Sequence, residues 1–256
     1  VLDRSIRQLD ELFLLVVVGE FNAGKSALIN ALFGEPLLEM GVTPTTTRVH
    51  LLRHGKNFER VAVEADVDVF TVPAAMLEEI TIVDTPGTNA IYREHEAMTR
   101  DFMPRSDLVL FVTSVDRPFT ESERAFLELI REWGKKVVVV LNKVDILEDS
   151  EELVSIERFV KENVRGLLGF EPEVLPVSAR LALRGKQTQD AEMLAKSRIE
   201  ALEAYIVDRL DEKERVRLKL LNPLGVGLHL TGKYLDVVDG RMALLKDDFD
   251  VMDNIT

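Results

Sequence analysis

The chain has 256 residues, no cysteine and a formal net charge of −13 at pH 7. This length suffices for one sizeable α/β domain with a smaller part beside it. The acidic balance argues against a nucleic-acid-binding surface, which normally presents a basic face, and the absence of cysteine excludes disulfides and thiolate metal sites.

The N-terminal stretch predicts a helix followed by a strand. Residues 1–11 place Leu2, Ile6 and Leu9 at helical spacing, which is typical of a short amphipathic helix. The apolar run from Leu12 to Val18 follows directly. This run is too short to span a bilayer, and its β-branched end predicts a buried strand.

Residues 19–26, GEFNAGKS, fit the pattern G-x-x-x-x-G-K-S/T between that strand and an amphipathic helical run. Two glycines let the backbone N–H groups converge on phosphate oxygens, and the helix adds its positive N-terminal end. We expect Lys25 to reach the β- and γ-phosphates of a nucleotide and the Ser26 hydroxyl to ligate Mg²⁺. The predicted nucleotide-binding residues of this phosphate loop are Gly19, Glu20, Phe21, Asn22, Ala23, Gly24, Lys25, Ser26 and Ala27.

The next segment is rich in hydroxyl groups. Residues 37–47 carry four threonines around Pro44, ahead of a strand predicted at Val49 to Arg53. Each threonine alone fits the start of a strand as well as a functional role. Arg60 to Val69 alternates apolar and polar residues, which predicts a second strand pair with one face in water.

A second motif follows the strand predicted at Ile80 to Val83. Asp84-Thr85-Pro86-Gly87 fits D-x-x-G, in which the Asp84 carboxylate can hold the Mg²⁺ shell and the Gly87 N–H can meet the γ-phosphate. The polar segment from Thr88 to Pro104 is predicted to be mobile until the γ-phosphate orders it.

Two more strands are predicted at Leu108 to Val112 and Val137 to Leu141, with a helix from Ser122 to Trp133 between them. Thr120 and Glu123 form the pattern of a capping box at the start of that helix. The loop from Val115 to Phe119 is predicted to be exposed.

Residues 142–145 read N-K-x-D directly after the second of these strands. Asp145 can accept hydrogen bonds from N1–H and N2–H of guanine, which adenine cannot offer. We expect Asn142 to support the base and the Lys143 stem to cover its face.

A helix at Glu151 to Leu168 and a last strand at Val174 to Val177 lead to the segment Ser178-Ala179-Arg180, where a backbone N–H can meet guanine O6. All these blocks follow the carboxyl ends of predicted strands, where open parallel sheets bind ligands. The sequence therefore predicts a doubly wound, mostly parallel α/β sheet with flanking helices, of the P-loop GTPase type.

The C-terminal part is predicted to be helical from Asp190 to about Leu221, until Asn222-Pro223 breaks the helix. Four apolar residues share one face of the first part: Ile199, Leu202, Ile206 and Leu210. After the break, a heptad seam contains Leu224, Leu228, Thr231, Leu235, Val238, Met242, Leu245, Phe249 and Met252. We expect this seam to pack on other helices of the chain, on a second copy or on further sequence; the alternative is an ordinary helix that covers the sheet.

These residues resemble bacterial dynamin-like proteins, the Fzo-like branch of chloroplasts and, more distantly, mitofusins. The resemblance covers nearly the whole chain and is most specific in the first thirty-five residues and at Arg117-Pro118-Phe119. It is carried by GEFNAGKSALINALFG, the Pro-Thr-Thr-Thr segment, DTPG, the loop SVDRPFT, NKVD, and the stretch from Leu210 through Gly225.

The resemblance implies a large GTPase domain at residues 12–189, with a helical neck formed by residues 1–11 and 190–256. A stalk and a membrane-binding tip would follow in the full protein, while the present fragment is expected to be soluble. It also implies a homodimer across the nucleotide sites, in which the loop from Val115 to Ser122, with Asp116 and Arg117, reaches the partner. The protein would then be membrane-associated, at the cytoplasmic face of a bacterium or in a chloroplast.

The resemblance further implies that a switch threonine holds Mg²⁺ and the attacking water. Thr46 matches best, with Thr45 and Thr47 left open. Several dynamins carry a polar residue where this chain has Phe21, so Thr46 and Gly87 must do more, or Asn22 or a partner residue substitutes. We therefore expect slow basal turnover that rises with protein concentration or membrane assembly.

The leading hypothesis is a GTP-hydrolysing mechanoenzyme of membrane remodelling, in fusion or fission, with Lys25, Thr46, Gly87 and Asn22 as catalytic residues. A nucleotide-gated dimerising scaffold with negligible hydrolysis is the second. An Era-like ribosome-assembly GTPase is the third, but it should append a basic RNA-binding module, and the region after Arg180 is acidic.

Overall fold

A computed structural model describes residues 3, 6, 11–41, 48–64, 67–86 and 102–253, and only the backbone at residues 64, 209 and 247–253. The predicted N-terminal helix falls almost wholly outside these ranges. So do Thr45, Thr46, Thr47 and Gly87, and most of the segment from 88 to 104. The prediction that this segment is polar and mobile is wrong for its last residues, since Phe102 and Met103 are apolar and buried.

The described residues contain one sheet of eight strands in the order β3-β4-β2-β5-β1-β6-β7-β8. Five of its seven pairings are parallel, and the antiparallel ones join β2 to β5 and β3 to β4. The predicted doubly wound, mostly parallel α/β fold is thereby confirmed. The strands are β1 Phe13–Val18, β2 Val49–His54, β3 Glu59–Glu64, β4 Val67–Val72, β5 Ile80–Asp84, β6 Leu108–Ser114, β7 Val137–Asn142 and β8 Glu173–Pro176.

Seven α-helices flank or extend this sheet in the described ranges. They are α1 Lys25–Phe33, α2 Glu121–Glu132, α3 Ser150–Leu168, α4 Ala179–Thr188, α5 Ala191–Ser197, α6 Ile199–Ala204 and α7 Glu212–Asp253. A π-helical turn, Tyr205–Arg209, continues α6. The capping box predicted for α2 is confirmed, since Thr120 and Glu123 exchange both of its hydrogen bonds.

Central strand β1 is buried on both faces because its alternate side chains enter two separate cores. Leu15 belongs to the core that α1, α4 and α6 cover, and Val16 belongs to the core beneath α2 and α3. Ile199, Leu202, Ile206 and Leu210 share a face as predicted and are buried in the first of these cores. Residues 199–210 therefore pack on the nucleotide-domain sheet.

The strand pair predicted from Arg60 to Val69 is confirmed, but the prediction of one wet and one apolar face is not. The segment contributes to two antiparallel strands, β3 and β4. Val61 and Val63 in edge strand β3 are exposed, whereas Asp68 of β4 is buried and paired with Arg60 at 2.8 Å. The apolar alternation was thus a poor guide here, because an edge strand without a covering helix leaves both faces in water.

The predicted helix break at Asn222-Pro223 is wrong, since α7 runs through Pro223. A proline inside a helix removes one hydrogen bond and clashes with the preceding turn. Here Leu218, Asn222 and Val226, spaced by four residues, are all buried on the domain. This packing on both sides of the proline offsets the local cost.

From Leu224 onward, the side chains of the predicted seam have no cover in the described part of the chain. Leu228 is 76% exposed, and Leu224, Leu235, Val238, Met242 and Leu245 are at least half exposed. His229 and Leu230 still pack on the domain, so the alternative of a helix that covers the sheet is excluded for residues 231–246, which are all exposed.

Candidate nucleotide-binding site

The phosphate loop, residues 19–26, joins β1 to α1 through a backbone that requires glycine. Gly19 has φ +149° and Gly24 has φ +94°, and a Cβ atom on Gly19 would lie 2.0 Å from the Val112 carbonyl oxygen. Gly24 is also the N-cap of α1, which has no side-chain cap and no acidic residue in its first turn. The first N–H groups of α1 are therefore suited to an anion.

Lys25 is buried at the start of α1. Its ammonium donates to the carbonyl oxygens of Gly19 at 3.1 Å and Glu20 at 3.0 Å. Burial lowers the pKa of Lys25, and this outweighs the opposing effect of the Asp84 and Glu20 carboxylates. A phosphate at the loop would supply the negative charge that favours the ammonium form.

Ser26 and Asp84 meet as the two motifs predict. The Ser26 hydroxyl donates to Asp84 Oδ2 at 2.7 Å, and Asp84 is fully buried at the end of β5. Within the described residues, Asp84 Oδ1 is buried without a hydrogen-bond partner. His50 Nδ1 lies 3.8 Å from Asp84 Oδ2.

A hydroxyl and a carboxylate with a spare oxygen fit Mg²⁺, which takes oxygen ligands. The described ranges hold no group of three or more His, Asp or Glu side chains arranged around a metal position. Mg²⁺ in nucleotide sites usually needs only one or two protein ligands, because phosphates and water complete its shell.

The side chain of Asn142 contacts two of the other predicted blocks, the phosphate loop and the segment 178–180. Its Nδ2 donates to the Ala23 carbonyl at 2.9 Å, and its Oδ1 accepts from the Ala179 N–H at 3.1 Å. Asn142 is 2% exposed, so these bonds are shielded from water. The phosphate loop, the N-K-x-D segment and the start of α4 are therefore held in one fixed arrangement.

Asp145 lies beside the segment that the sequence analysis assigned to guanine O6. It accepts a hydrogen bond from the Ser178 hydroxyl and pairs with Arg180 at 2.5 Å. Asp145 is largely buried, whereas the Arg180 side chain is 75% exposed and so can move aside. The N–H groups of Ser178 and Ala179 donate to Ser197 and Asn142, so a backbone contact to O6 stays a prediction.

The loop of residues 115–122, which includes the first two residues of α2, lies beside the phosphate loop at the candidate site. Asp116 accepts from the Ser114 hydroxyl and from Lys143 Nζ, the latter at 3.3 Å. Burial raises the pKa of Asp116, but these two partners outweigh it and the net shift is downward. A cavity of about 290 Å³ separates this loop, including Arg117, from Phe21 and Asn22 of the phosphate loop.

Sequence reasoning missed two features of the site. Glu20 Oε1 accepts hydrogen bonds from the hydroxyls of Thr120, at 2.5 Å, and Ser122. Glu123, only 2% exposed, has its pKa raised to about 7, chiefly by burial and in part by the charge of Glu20. The available signals were Glu20 at the second position of the phosphate loop and the hydroxyls of Thr120 and Ser122 at the start of α2. Nothing in the local sequence indicated that these groups meet.

Comparison with known proteins places this site in a family. A profile described as 50S ribosome-binding GTPase matches residues 14–143, half of the chain. A probable transmembrane GTPase, the chloroplastic FZO-like protein of Arabidopsis thaliana, is 39% identical over 276 aligned residues, which cover 98% of this chain and 30% of that protein. Dynamin-like protein 2 of Campylobacter jejuni is 28% identical over 254 aligned residues, which cover 86% of this chain and 39% of that protein.

Comparison of the fold with solved structures gives a consistent result. A solved structure of an oligomerised bacterial dynamin pair, described as a mechanism for long-range sensing and tethering of membranes, matches with a TM-score of 0.66 at 18% identity. The match covers 98% of this chain and 46% of that one. GTPase Era of Clostridioides difficile is also similar, at 27% identity over 206 residues, which cover 78% of this chain and 61% of Era.

This chain thus spans less than half the length of the dynamin-like proteins that it matches. The profile match extends from β1 to the N-K-x-D segment and includes Lys25, Ser26, Asp84 and Asn142. The chain therefore belongs to this family of GTPases, and it resembles the dynamin-like proteins.

Proposed function

We propose that this chain is the GTP-hydrolysing part of a dynamin-like mechanoenzyme that dimerises through its GTPase domain and remodels membranes. The nucleotide site is supported by Asn142, whose side chain joins the phosphate loop to the base-recognition segments, and the mechanoenzyme by the similarity to dynamin-like relatives. In this proposal residues 12–189 are the GTPase domain, and residues 1–11 and 190–256 belong to the neck, of which residues 199–210 pack on the sheet of that domain.

The phosphates of GTP would lie on the N–H groups of the phosphate loop and the first turn of α1. Lys25, buried beside them, would neutralise charge that develops on the β- and γ-phosphates. Ser26, Asp84 and Thr46 would hold Mg²⁺, which when bound supplies charge neutralisation at the phosphate oxygens. Thr46, Gly87 and Asn22 would orient the attacking water.

Guanine would be selected by Asp145, with Asn142 and Lys143 around the base. Asp145 is mostly buried, so a base that offers no N1–H and N2–H donors would leave Asp145 Oδ2 without a donor once Arg180 moves aside. The exposed Arg180 would release Asp145 when the base binds.

A second copy of the chain would bind at the 115–122 loop. The loop lies at the rim of the nucleotide site, where Asp116 contacts Lys143. Arg117 at its tip is the residue most suited to reach the partner's nucleotide, because a guanidinium pairs with phosphate oxygens in a fixed geometry. If each copy inserts this loop into the nucleotide site of the other, the loop would supply the polar group that is missing at position 21, where this chain has Phe21.

Membrane contact is assigned to a stalk and tip outside these 256 residues, at a bacterial cytoplasmic face or in an organelle such as the chloroplast. No helix in the described ranges is both long enough and apolar enough to cross a bilayer. No nucleic-acid partner is proposed, in keeping with the net charge of −13.

The test compares wild type with Lys25→Ala, using a fluorescent GTP analogue and phosphate release. We expect Lys25→Ala to lose GTP binding, and Lys196→Ala, which removes an exposed lysine paired with Glu192, to bind normally. Unchanged affinity in Lys25→Ala would contradict the phosphate-loop assignment.

A concentration series separates the mechanoenzyme from the scaffold. Turnover per molecule should rise with protein concentration if the partner completes the site. A flat profile with dimerisation intact would favour the GTP-gated scaffold instead.

A further inference from the structure

The 115–122 loop is fastened to the nucleotide site at two separate points. At the base side, Asp116 accepts from Lys143 Nζ at 3.3 Å. At the phosphate side, the hydroxyls of Thr120 and Ser122 both donate to Glu20 Oε1. A displacement of the loop must therefore break or carry along a residue of the phosphate loop.

Glu20 extends this connection to Lys25. Its carboxylate is held by the loop, while its backbone carbonyl accepts from Lys25 Nζ at 3.0 Å. The same residue thus contacts the loop with one end and the phosphate-binding lysine with the other. Hydrogen bonds to a carboxylate are among the stronger ones in proteins, so the 115–122 loop holds the carboxylate end of Glu20 firmly.

Hydrogen bonds to neighbouring residues fix the position of the Thr120 and Ser122 hydroxyls at the start of α2. Thr120 Oγ1 accepts from the Glu123 N–H, and Glu123 Oε2 accepts from the Thr120 N–H at 3.1 Å and from Thr113 Oγ1 at 3.0 Å. Thr113 lies in β6, so the first turn of α2 is anchored to the sheet. Phe119, with φ +65°, makes the sharp turn that brings the loop onto this anchor.

We propose that Glu20, Thr120 and Ser122 are positioning residues that couple the 115–122 loop to Lys25, so that GTP at the phosphate loop and a second copy bound at the loop strengthen each other. The identity of the partner rests on the proposed function, whereas the link within one chain does not. By thermodynamic reciprocity, GTP must raise the affinity of the dimer by the same factor as dimerisation raises the affinity for GTP.

The experiment uses Ser122→Ala, which removes one of the two donors to Glu20. Ser122→Thr keeps the hydroxyl and serves as the rescue variant. Ser150→Ala makes the same change at an exposed serine in the first turn of α3 and serves as the control. Two quantities are measured: the dissociation rate of a fluorescent GDP analogue from dilute protein, and the dimer Kd with and without a non-hydrolysable GTP analogue.

We expect Ser122→Ala to release the GDP analogue several-fold faster and to reduce the effect of GTP on the dimer Kd by roughly tenfold, the range for one hydrogen bond to a charged group. Ser122→Thr and Ser150→Ala should behave as wild type. A merely structural role would lower the thermal midpoint and leave both quantities unchanged for the folded protein, which would overturn the proposal.

The two proposals fail in different ways. If wild type forms no GTP-linked dimer, the proposed function is wrong, and the GDP release rate of Ser122→Ala alone decides whether the link to Lys25 exists. If wild type dimerises with GTP but Ser122→Ala and Glu20→Gln match it in both measurements, the positioning role is wrong and the proposed function stands.

Discussion

Asn142 Nδ2 lies 2.2 Å from the position that a Cβ atom on Gly24 would occupy. The same nitrogen donates to the Ala23 carbonyl at 2.9 Å, so it cannot withdraw without breaking that bond. Gly24 also has φ +94°, which disfavours any other residue. The close approach of these two residues sets the distance between the phosphate loop and the base-recognition segment.

We therefore predict that Gly24→Ala weakens GTP binding by at least tenfold, because the new methyl group displaces Asn142. Isothermal titration with GTP provides the measurement. Gly166→Ala is the control, since Gly166 lies inside α3 with open space around it. That change should leave GTP affinity alone and stabilise the protein by roughly 0.5–1 kcal/mol. Wild-type affinity in Gly24→Ala would contradict the close contact.

The second prediction concerns Mg²⁺. Asp84→Asn should remove the extra nucleotide affinity that Mg²⁺ confers, because the neutral amide lacks the charge of the buried carboxylate. GDP affinity with Mg²⁺ would then equal the affinity that wild type shows after Mg²⁺ is removed with EDTA. Thr85→Ser, which retains the hydroxyl bonded to the Val17 carbonyl, is the neighbouring control. A Mg²⁺ effect of wild-type size in Asp84→Asn would refute the metal assignment.

The blocks of the candidate nucleotide site could be located from the sequence because each couples a local pattern to a strand end. Gly24 and Asn142 stand beside buried strands that the apolar runs identify without reference to the rest of the chain. Parallel pairing then places these ends at one edge of the sheet. The fold class and the neighbourhood of the site follow from this.

Other features depend on contacts between distant segments, and local patterns could not predict them. The hydroxyl groups of Thr120 and Ser122 meet Glu20 across about a hundred residues of sequence. Pro223 looks like a helix break by itself, yet buried neighbours on either side keep α7 continuous. In each case tertiary packing overrides or adds to the local preference.

The third prediction uses the raised pKa of Glu123, about 7 against an ordinary value of 4.5. Between these two pH values the unfolded chain releases this proton and the folded chain keeps it. Folding stability from this group is therefore full below pH 4.5, falls as the pH rises, and is lost above 7. The total change is about 3 kcal/mol.

Glu123→Gln tests this prediction and keeps the capping box, which accepts glutamine. The variant should become more stable than wild type as the pH rises from 5 to 8, as measured by urea unfolding. Subtracting the two curves removes the titration of all other groups. Parallel curves between pH 5 and 8 would show that the pKa of Glu123 is not raised in the folded protein.

The last prediction concerns the attachment of α7. Asn222 Nδ2 donates to the Arg105 carbonyl at 3.1 Å and to Asp107 Oδ1 at 3.2 Å, while Asn222 Oδ1 accepts from Lys135. Burial lowers the pKa of Lys135 to about 7, although the nearby Asp107 carboxylate opposes the shift. Asn222 is therefore the side chain that satisfies two buried ionisable groups at once.

We predict that Asn222→Ala destabilises the protein by about 2–3 kcal/mol, because it leaves buried donors and acceptors without partners. Urea unfolding followed by circular dichroism provides the measurement. Leu224→Ala, at an exposed position two residues away, should change stability by less than about 0.5 kcal/mol. Pro223→Ala should act in the opposite direction and stabilise α7, since it restores a helical N–H and removes a clash. Equal stability of Asn222→Ala and Leu224→Ala would mean that the apolar contacts of Leu218 and Val226, rather than the polar cluster, hold α7 on the domain.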